Sequence, residues 1–334
     1  MRAVAPMTAL ACLAAGLAAA EEKTTAPPRT RAFEFTYAAV VRDVPAGAAA
    51  ADVWLPLPPS DEDQTVTDLR IDGPVESVRT EEKTFGNRIA YFHVAGPGKS
   101  PALEFRISFQ TVRKEVLAPP EQTPASAPTD AERADRARDL QSERLCVVND
   151  RIRDLAREIT AGREGAGPRG RAIYDYVQTH MRYDKTGTGW GNGDTVFACA
   201  EQRGNCTDFH ALFISLARAA EIPALFEMGF PLPTDRTEGP VAGYHCWTRF
   251  YQPGRGWIPV DASEGWKQPS KRDYFFGALD ENRVRLTRGR DLVLEPAQKG
   301  PPLNYFIYPY VEVDGKAHAA VDRRFSFRDL KAAH

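Results

Sequence analysis

The apolar residues of this chain change their period once, and that change constrains the fold more than any other feature. Over residues 31–117 they recur at every second position: Phe33, Phe35 and Tyr37 in "AFEFTYAAVV", then Leu103, Phe105, Ile107 and Phe109 in "ALEFRISFQTV". A period of two places alternate side chains on opposite faces of an extended backbone, so each run reads as a half-buried strand. "ADVWLPLP" and "RIAYFHVAG" add two strand candidates, Gly86-Asn87 reads as a turn, and a small β-sandwich is the natural closure. Residues 118–144 are rich in Pro, Ala and charge without an apolar stripe and read as a linker, helical in its charged second half. The period then becomes helical. Ile152, Leu155, Ala156 and Ile159 follow an Asn149 cap; Ile173, Tyr176, Val177 and His180 follow Pro168, a helix-start residue; Phe209, Leu212, Phe213, Leu216 and Ala220 form a third stripe ended by Pro223. Strand patterns return in "ALFEMGFPLP", "HCWTRFYQPG", "GWIPVDAS" and "NYFIYPYVEVDGK", the last with an Asp314-Gly315 turn. The expected class is α+β: a β-sandwich over 31–117, a linker over 118–144, and over 145–334 a domain with helices first and a mostly antiparallel sheet after.

The N-terminus, "MRAVAPMTALACLAAGLAAAEE", has one basic residue, an apolar core and Ala18-Ala19-Ala20 before acidic residues, the pattern of a cleaved secretory signal over residues 1–20. A periplasmic or extracellular location is therefore expected. A lipid anchor at Cys12 is the lesser reading, because Ala9 stands where an aliphatic residue belongs. The apolar run is too short to span a bilayer, and no other window approaches the needed length. A formal net charge of −2 offers no polybasic field, so no nucleic-acid partner is expected. With 43% apolar and 10% aromatic residues, the 334-residue chain can bury sizeable cores. The segment "RVRLTRGRDLVLEP" reads as a solvated basic strand turning at Gly289.

Beyond the signal, four cysteines remain: Cys146, Cys199, Cys206 and Cys246. An even count in an oxidising compartment suggests disulfides, with Cys199–Cys246 the pairing nearest the site, although Cys246 also reads as core because it must face away from His245. Cys199, Cys206, His245 and Cys246 have the residue types of a zinc site but lack the close Cys-x-x-Cys spacing, so no metal or cofactor is expected. Cys206 stands apart. In "GNCTDFHALF" it follows a Gly-Asn turn and begins a helical stripe, and a helix N-terminus favours the thiolate, the form of cysteine that attacks carbonyl carbon. A nucleophile also needs a base and an orienter for that base. "YHCWTRFY" supplies His245, and "WIPVDAS" supplies Asp261, which pairing across the Pro253–Gly256 turn would bring close. Asp208 reads as a cap of the first turn, His210 as a second-choice base on the same helix, and Tyr244, Trp247 and Trp257 as core or cleft wall.

These three blocks, "RGNCTDFHALFISLARAAEIPA", "GYHCWTRFY" and "GWIPVDAS", resemble the transglutaminase-like superfamily of papain-fold thiol enzymes, exported bacterial members in particular, over about residues 145–265. The resemblance implies a helix-borne cysteine packed on an antiparallel sheet, with Cys206 as nucleophile, His245 as base and then acid, and Asp261 as orienter. It implies an oxyanion site at the Cys206 backbone N–H, with the Trp190 indole or the Gln202 amide as second donor. Animal transglutaminases carry an aromatic residue directly after the cysteine, where this chain has Thr207. Hydrolysis of a carboxamide or peptide bond through a thioester is thus favoured over transamidation. The substrate expected is a peptide or protein; neither its identity nor the oligomeric state is legible. The alternative from another class is a non-catalytic binding or envelope-assembly module that keeps the fold.

Overall fold

The computed structural model describes residues 27–99, 102–121 and 127–331. The signal assigned to residues 1–20, and Cys12 with it, lies outside the described residues. In chain order the elements that position the site are β1 (Thr30–Arg42), β2 (Ala50–Pro56), β3 (Gln64–Asp72), β4 (Val78–Glu81), β5 (Arg88–Ala95) and β6 (Ala102–Lys114). Helices follow: α1 (Asp130–Arg138), α2 (Asp150–Thr160), α3 (Ala166–His180), α4 (Thr195–Glu201) and α5 (Cys206–Ala219). Then come β7 (Ala224–Pro231), β8 (Glu238–Val241), β9 (His245–Gln252), β10 (Gly256–Val260), α6 (Ala262–Lys267), β11 (Arg283–Arg288), β12 (Tyr310–Val313), β13 (Lys316–Ala317) and β14 (Val321–Asp329).

The alternating strands close a sandwich of two sheets, β8-β14-β1-β6-β3 and β13-β12-β2-β5-β4. Phe33, Phe35 and Tyr37 of β1 all face the core, where Phe35 stacks on Phe109 of β6 at 5.6 Å. Phe92 meets Phe105 edge to face at 4.8 Å and so joins the two sheets. Four of these ten strands come from beyond residue 230, which corrects the expected division at 31–117 and 145–334. β14 pairs along β1 with Phe327 opposite Phe35 and Phe325 opposite Tyr37, and β12 pairs with β2. The physical reason is the open edge of β1: left unpaired it would expose a row of backbone donors and acceptors, and the Phe325/Phe327 alternation of β14 covers it while completing the core. Within the expected linker, Asp130–Arg138 is helical behind a Thr129–Glu132 capping box.

The second sheet system, β10-β9-β7-β11, carries α5 on one face. Nearly every residue of α5 is buried, and Phe213 packs on Phe250 of β9 at 6.2 Å. The opposite face meets the sandwich through polar groups. Gln64 of β3 exchanges two 2.9 Å hydrogen bonds with the backbone of Arg285, Arg249 bridges Glu227 and Asp63, and Arg285 pairs with Asp61. β11 is therefore not a solvated strand: Arg283 and Arg285 are 2% and 7% exposed, held inside by carboxylates. Gly289 does turn the chain after it, at φ +79°. Among the described residues no helix is long and apolar enough to cross a membrane.

Candidate active site

Local sequence fixes how Cys206 begins its helix. Asn205 caps α5 by accepting the Thr207 N–H at 2.9 Å, and Asp208 reaches back to accept the Asn205 N–H at 2.9 Å. The remaining capacity of the Asp208 carboxylate takes the N–H groups of Gly191 (2.7 Å) and Gly193 (3.0 Å), so the cap also fastens the Gly-rich loop. Gly204 makes room for this. Its φ is +150°, and a Cβ there would lie 2.2 Å from the Asp208 carboxylate. Gly204→Ala is expected to lower stability by about 2–3 kcal/mol, through strain and a displaced cap together, seen as a shifted urea midpoint. With its neighbours' donors committed to Asn205 and Asp208, the Cys206 N–H is the first-turn donor left for a ligand.

His245 opens β9, and Asp261 follows β10 as the N-cap of α6, accepting the Glu264 N–H at 3.0 Å. Pairing of β9 with β10 brings the two together: His245 Nε2 lies 2.7 Å from Asp261 Oδ2. The same oxygen accepts from Arg283 at 2.9 Å, and Oδ1 accepts from the Ser263 hydroxyl at 3.1 Å. Cys206 lies beside His245, close enough that each moves the other's titration. With Asp261 at Nε2, Nδ1 is the nitrogen left for the sulfur. The three residues are 3%, 4% and 0% exposed, so their interactions act in a poorly screened setting.

Charge is distributed accordingly. A hydrogen bond from the Cys246 thiol, followed by the bond and charge of His245, overcomes burial and holds the Cys206 thiol well below its ordinary pKa. Burial would lower the pKa of His245, but the Asp261 charge and hydrogen bond, with Cys206 behind them, raise it to about 10. Burial would raise Asp261; the His245 and Arg283 cations instead hold it well below the usual carboxylate range. Both shifts run toward a thiolate beside an imidazolium, the form in which cysteine is a competent nucleophile at neutral pH.

The fold thus places Cys206 beside the hydrogen-bonded pair of His245 and Asp261, and the two oxyanion candidates lie in the loop and helix that precede it. The Trp190 indole donates to Gly187 O at 3.1 Å within its own loop, and Gln202 is an exposed left-handed cap of α4 at φ +52°. Tyr244 lines the site by accepting from the Asn205 amide at 3.0 Å, Trp247 is core with its indole on Glu227 at 2.7 Å, and Trp257 packs at the sandwich interface. Cys146, Cys199, Cys206 and Cys246 are free thiols, so the Cys199–Cys246 bridge does not form: Cys246 is buried and faces α5, 3.5 Å from His210 Nδ1. Among the described residues no group of three or more His, Cys, Asp or Glu side chains could hold a metal. Sequence reasoning missed Arg283 and the contact of Cys246 with Cys206. Neither carries a local signal: an arginine in an alternating basic strand reads as exposed, and only the closed sheet places Asp261 over it.

Residues 153–262 match the family described as the transglutaminase-like superfamily. An uncharacterised protein of Haemophilus influenzae is 26% identical over 318 residues, covering 85% of either chain. A solved structure from Cytophaga hutchinsonii, named as a candidate cysteine protease, superposes with a TM-score of 0.59 over 92% of this chain and 94% of its own, at 16% identity. That likeness is one of fold.

Proposed function

From the premise that residues 153–262 form a transglutaminase-like domain, we propose that this protein is an exported thiol enzyme that opens a carboxamide or peptide bond through a thioester, water being the usual acceptor. One observation carries the reading: a cysteine at a helix N-terminus stands beside a histidine whose Nε2 lies 2.7 Å from a buried aspartate. The Cys206 thiolate attacks the acyl carbon, and the Cys206 N–H stabilises the developing oxyanion. The His245 imidazolium gives its proton to the departing nitrogen, leaving a thioester and a free amine or ammonia. Neutral His245 then takes a proton from the incoming water, the tetrahedral adduct expels the thiolate, and a carboxylic acid departs. Asp261 keeps Nδ1 aimed at sulfur throughout and stabilises the imidazolium; Arg283 keeps Asp261 ionised and in place. Thr207, where cross-linking relatives carry an aromatic residue, favours hydrolysis over transfer to an amine.

The test is iodoacetamide labelling of native, mature protein from pH 5 to 9, with the alkylated residue identified by mass spectrometry. Cys206 is expected to label rapidly below pH 7, and His245→Ala to slow that labelling about tenfold or more by removing the cation that holds the thiolate. A slow Cys206 with the pH profile of an ordinary thiol would leave the second reading, a binding module. That reading draws on the near-complete burial of Cys206, 3% exposed. The N-terminal residue of the mature protein, recovered from a periplasmic or secreted fraction, tests export.

A further inference from the structure

His210 lies one helical turn after Cys206, is fully buried, and is not part of the group of Cys206, His245 and Asp261 described above. We propose that it is a positioning residue, a neutral clamp that ties the nucleophile's helix to the Asp261–Ala262 peptide. The proposal deepens the thiol-enzyme reading and rests on it.

Both ring nitrogens are committed. Nδ1 stands 2.7 Å from the Cys206 carbonyl oxygen and must donate to it; Nε2 stands 3.0 Å from the Ala262 nitrogen and must accept its N–H. One tautomer satisfies both, neutral imidazole with its hydrogen on Nδ1. A cation would set N–H against N–H at Ala262. Burial pushes the pKa of His210 down, in the same sense, although the Asp261 charge opposes it. The groups facing the ring are Asp261 Oδ1 at 3.6 Å from Nε2, Cys246 Sγ at 3.5 Å from Nδ1, the Cys206 thiol, and the His245 ring at 6.5 Å between centroids. A nitrogen pair so occupied leaves no lone pair for a substrate proton, which removes His210 from consideration as a base.

Its mechanical place explains the arrangement. The Ala262 carbonyl accepts from Gln178 of α3, so this one residue is held through its N–H by α5 and through its C=O by α3. Asp261 is the preceding residue, and its Oδ2 aims His245 at Cys206. The clamp therefore fixes nucleophile and orienter relative to each other across two elements that do not share a sheet. A drift of about 1 Å there is the kind of displacement that costs up to about a hundredfold in rate.

Amide side chains can test the two arms separately. The amide of asparagine reaches the Nδ1 position, so His210→Asn keeps the donor to Cys206 and loses the acceptor for Ala262. The amide of glutamine reaches the Nε2 position, so His210→Gln keeps the acceptor. In alkylation of the full-length mature protein, His210→Gln is expected to stay within about threefold of the parent rate. His210→Asn is expected to fall about tenfold or more, with its pH profile displaced upward because His245 is no longer held on the sulfur. Equal losses in both variants, tracking their melting temperatures with no change in pH profile, would overturn the clamp and leave an ordinary core residue. Histidine-selective nitrogen NMR supplies a second readout that does not depend on Cys206 reactivity. His210 should show a protonated Nδ1 and an unprotonated Nε2, unchanged from pH 5 to 8; titration within that range would also overturn the proposal. If the parent protein labels slowly while His210 shows the expected tautomer, the thiol-enzyme reading fails and the clamp stands as a structural tie.

Discussion

Cys206→Ala is expected to remove catalysis by at least about a thousandfold while leaving the protein folded. The first half follows from chemistry: without sulfur there is no thioester, and neither His245 nor His210 offers a replacement nucleophile, the former holding Asp261 and the latter committed at both nitrogens. The second half follows from packing. The cysteine lies at the first position of α5, where Asn205 and Asp208 supply the cap without its side chain, so truncation to a methyl group deletes one sulfur atom from a helix that is otherwise complete. A stability change within about 1 kcal/mol is expected, read from urea unfolding followed by tryptophan fluorescence. Cys246 should not take over the labelling in this variant, since burial raises its pKa and the sulfur has no exposed surface. Gross unfolding of Cys206→Ala would mark the cysteine as structural, and surviving activity would place the chemistry elsewhere.

The parts of this molecule legible in the sequence are those whose causes are local. Strand alternation at Phe33–Tyr37 and Leu103–Phe109, the Asn149 and Asn205 caps, and the Asp314-Gly315 turn, with φ of +49° and +72°, each depend on a few consecutive residues. The order Cys206, His245, Asp261 is legible for another reason: a nucleophile, its base and the orienter must be of fixed types, and few arrangements of those types occur by chance. What the sequence hides are consequences of closure. β14 finds β1 across almost the whole chain, and nothing in "RRFSFRD" distinguishes a strand of the second domain from one completing the first. Arg285 and Arg249 look like surface residues until the sandwich loop around Asp61–Gln64 is laid against their sheet. The contact of the Trp190 indole with Gly187 is hidden for a similar reason, since it forms in a loop whose Gly187, Gly189 and Gly191 all have positive φ.

Asp261→Ala is expected to produce the largest loss of stability among single substitutions at the site, about 3 kcal/mol at pH 6, together with a large loss of activity. Removing the carboxylate strands Arg283, 2% exposed, with only Asp280 at 3.3 Å to answer it, and leaves His245 with no anion at Nε2. The pH dependence carries a sign that tests the cause. In the folded parent His245 is raised from 6.5 to about 10, so its contribution is complete below about pH 6.5 and lost as pH rises through about 10. Asp261 is depressed below 3.8, so its contribution is present above that pH and lost as the solution is acidified through its folded value. The stability difference between parent and Asp261→Ala should therefore be widest between about pH 4 and 6.5, narrowing on either side. A difference that failed to narrow either below about pH 4 or above about pH 6.5 would mean that Asp261 acts mainly as the cap of α6 through the Glu264 N–H. Arg283→Met in the Asp261→Ala background completes the cycle: with the stranded guanidinium replaced by an apolar chain of similar length, about half or more of the lost stability should return while activity does not. Recovery of stability without recovery of reactivity at Cys206 separates what the buried ion pair does for folding from what its carboxylate does for His245.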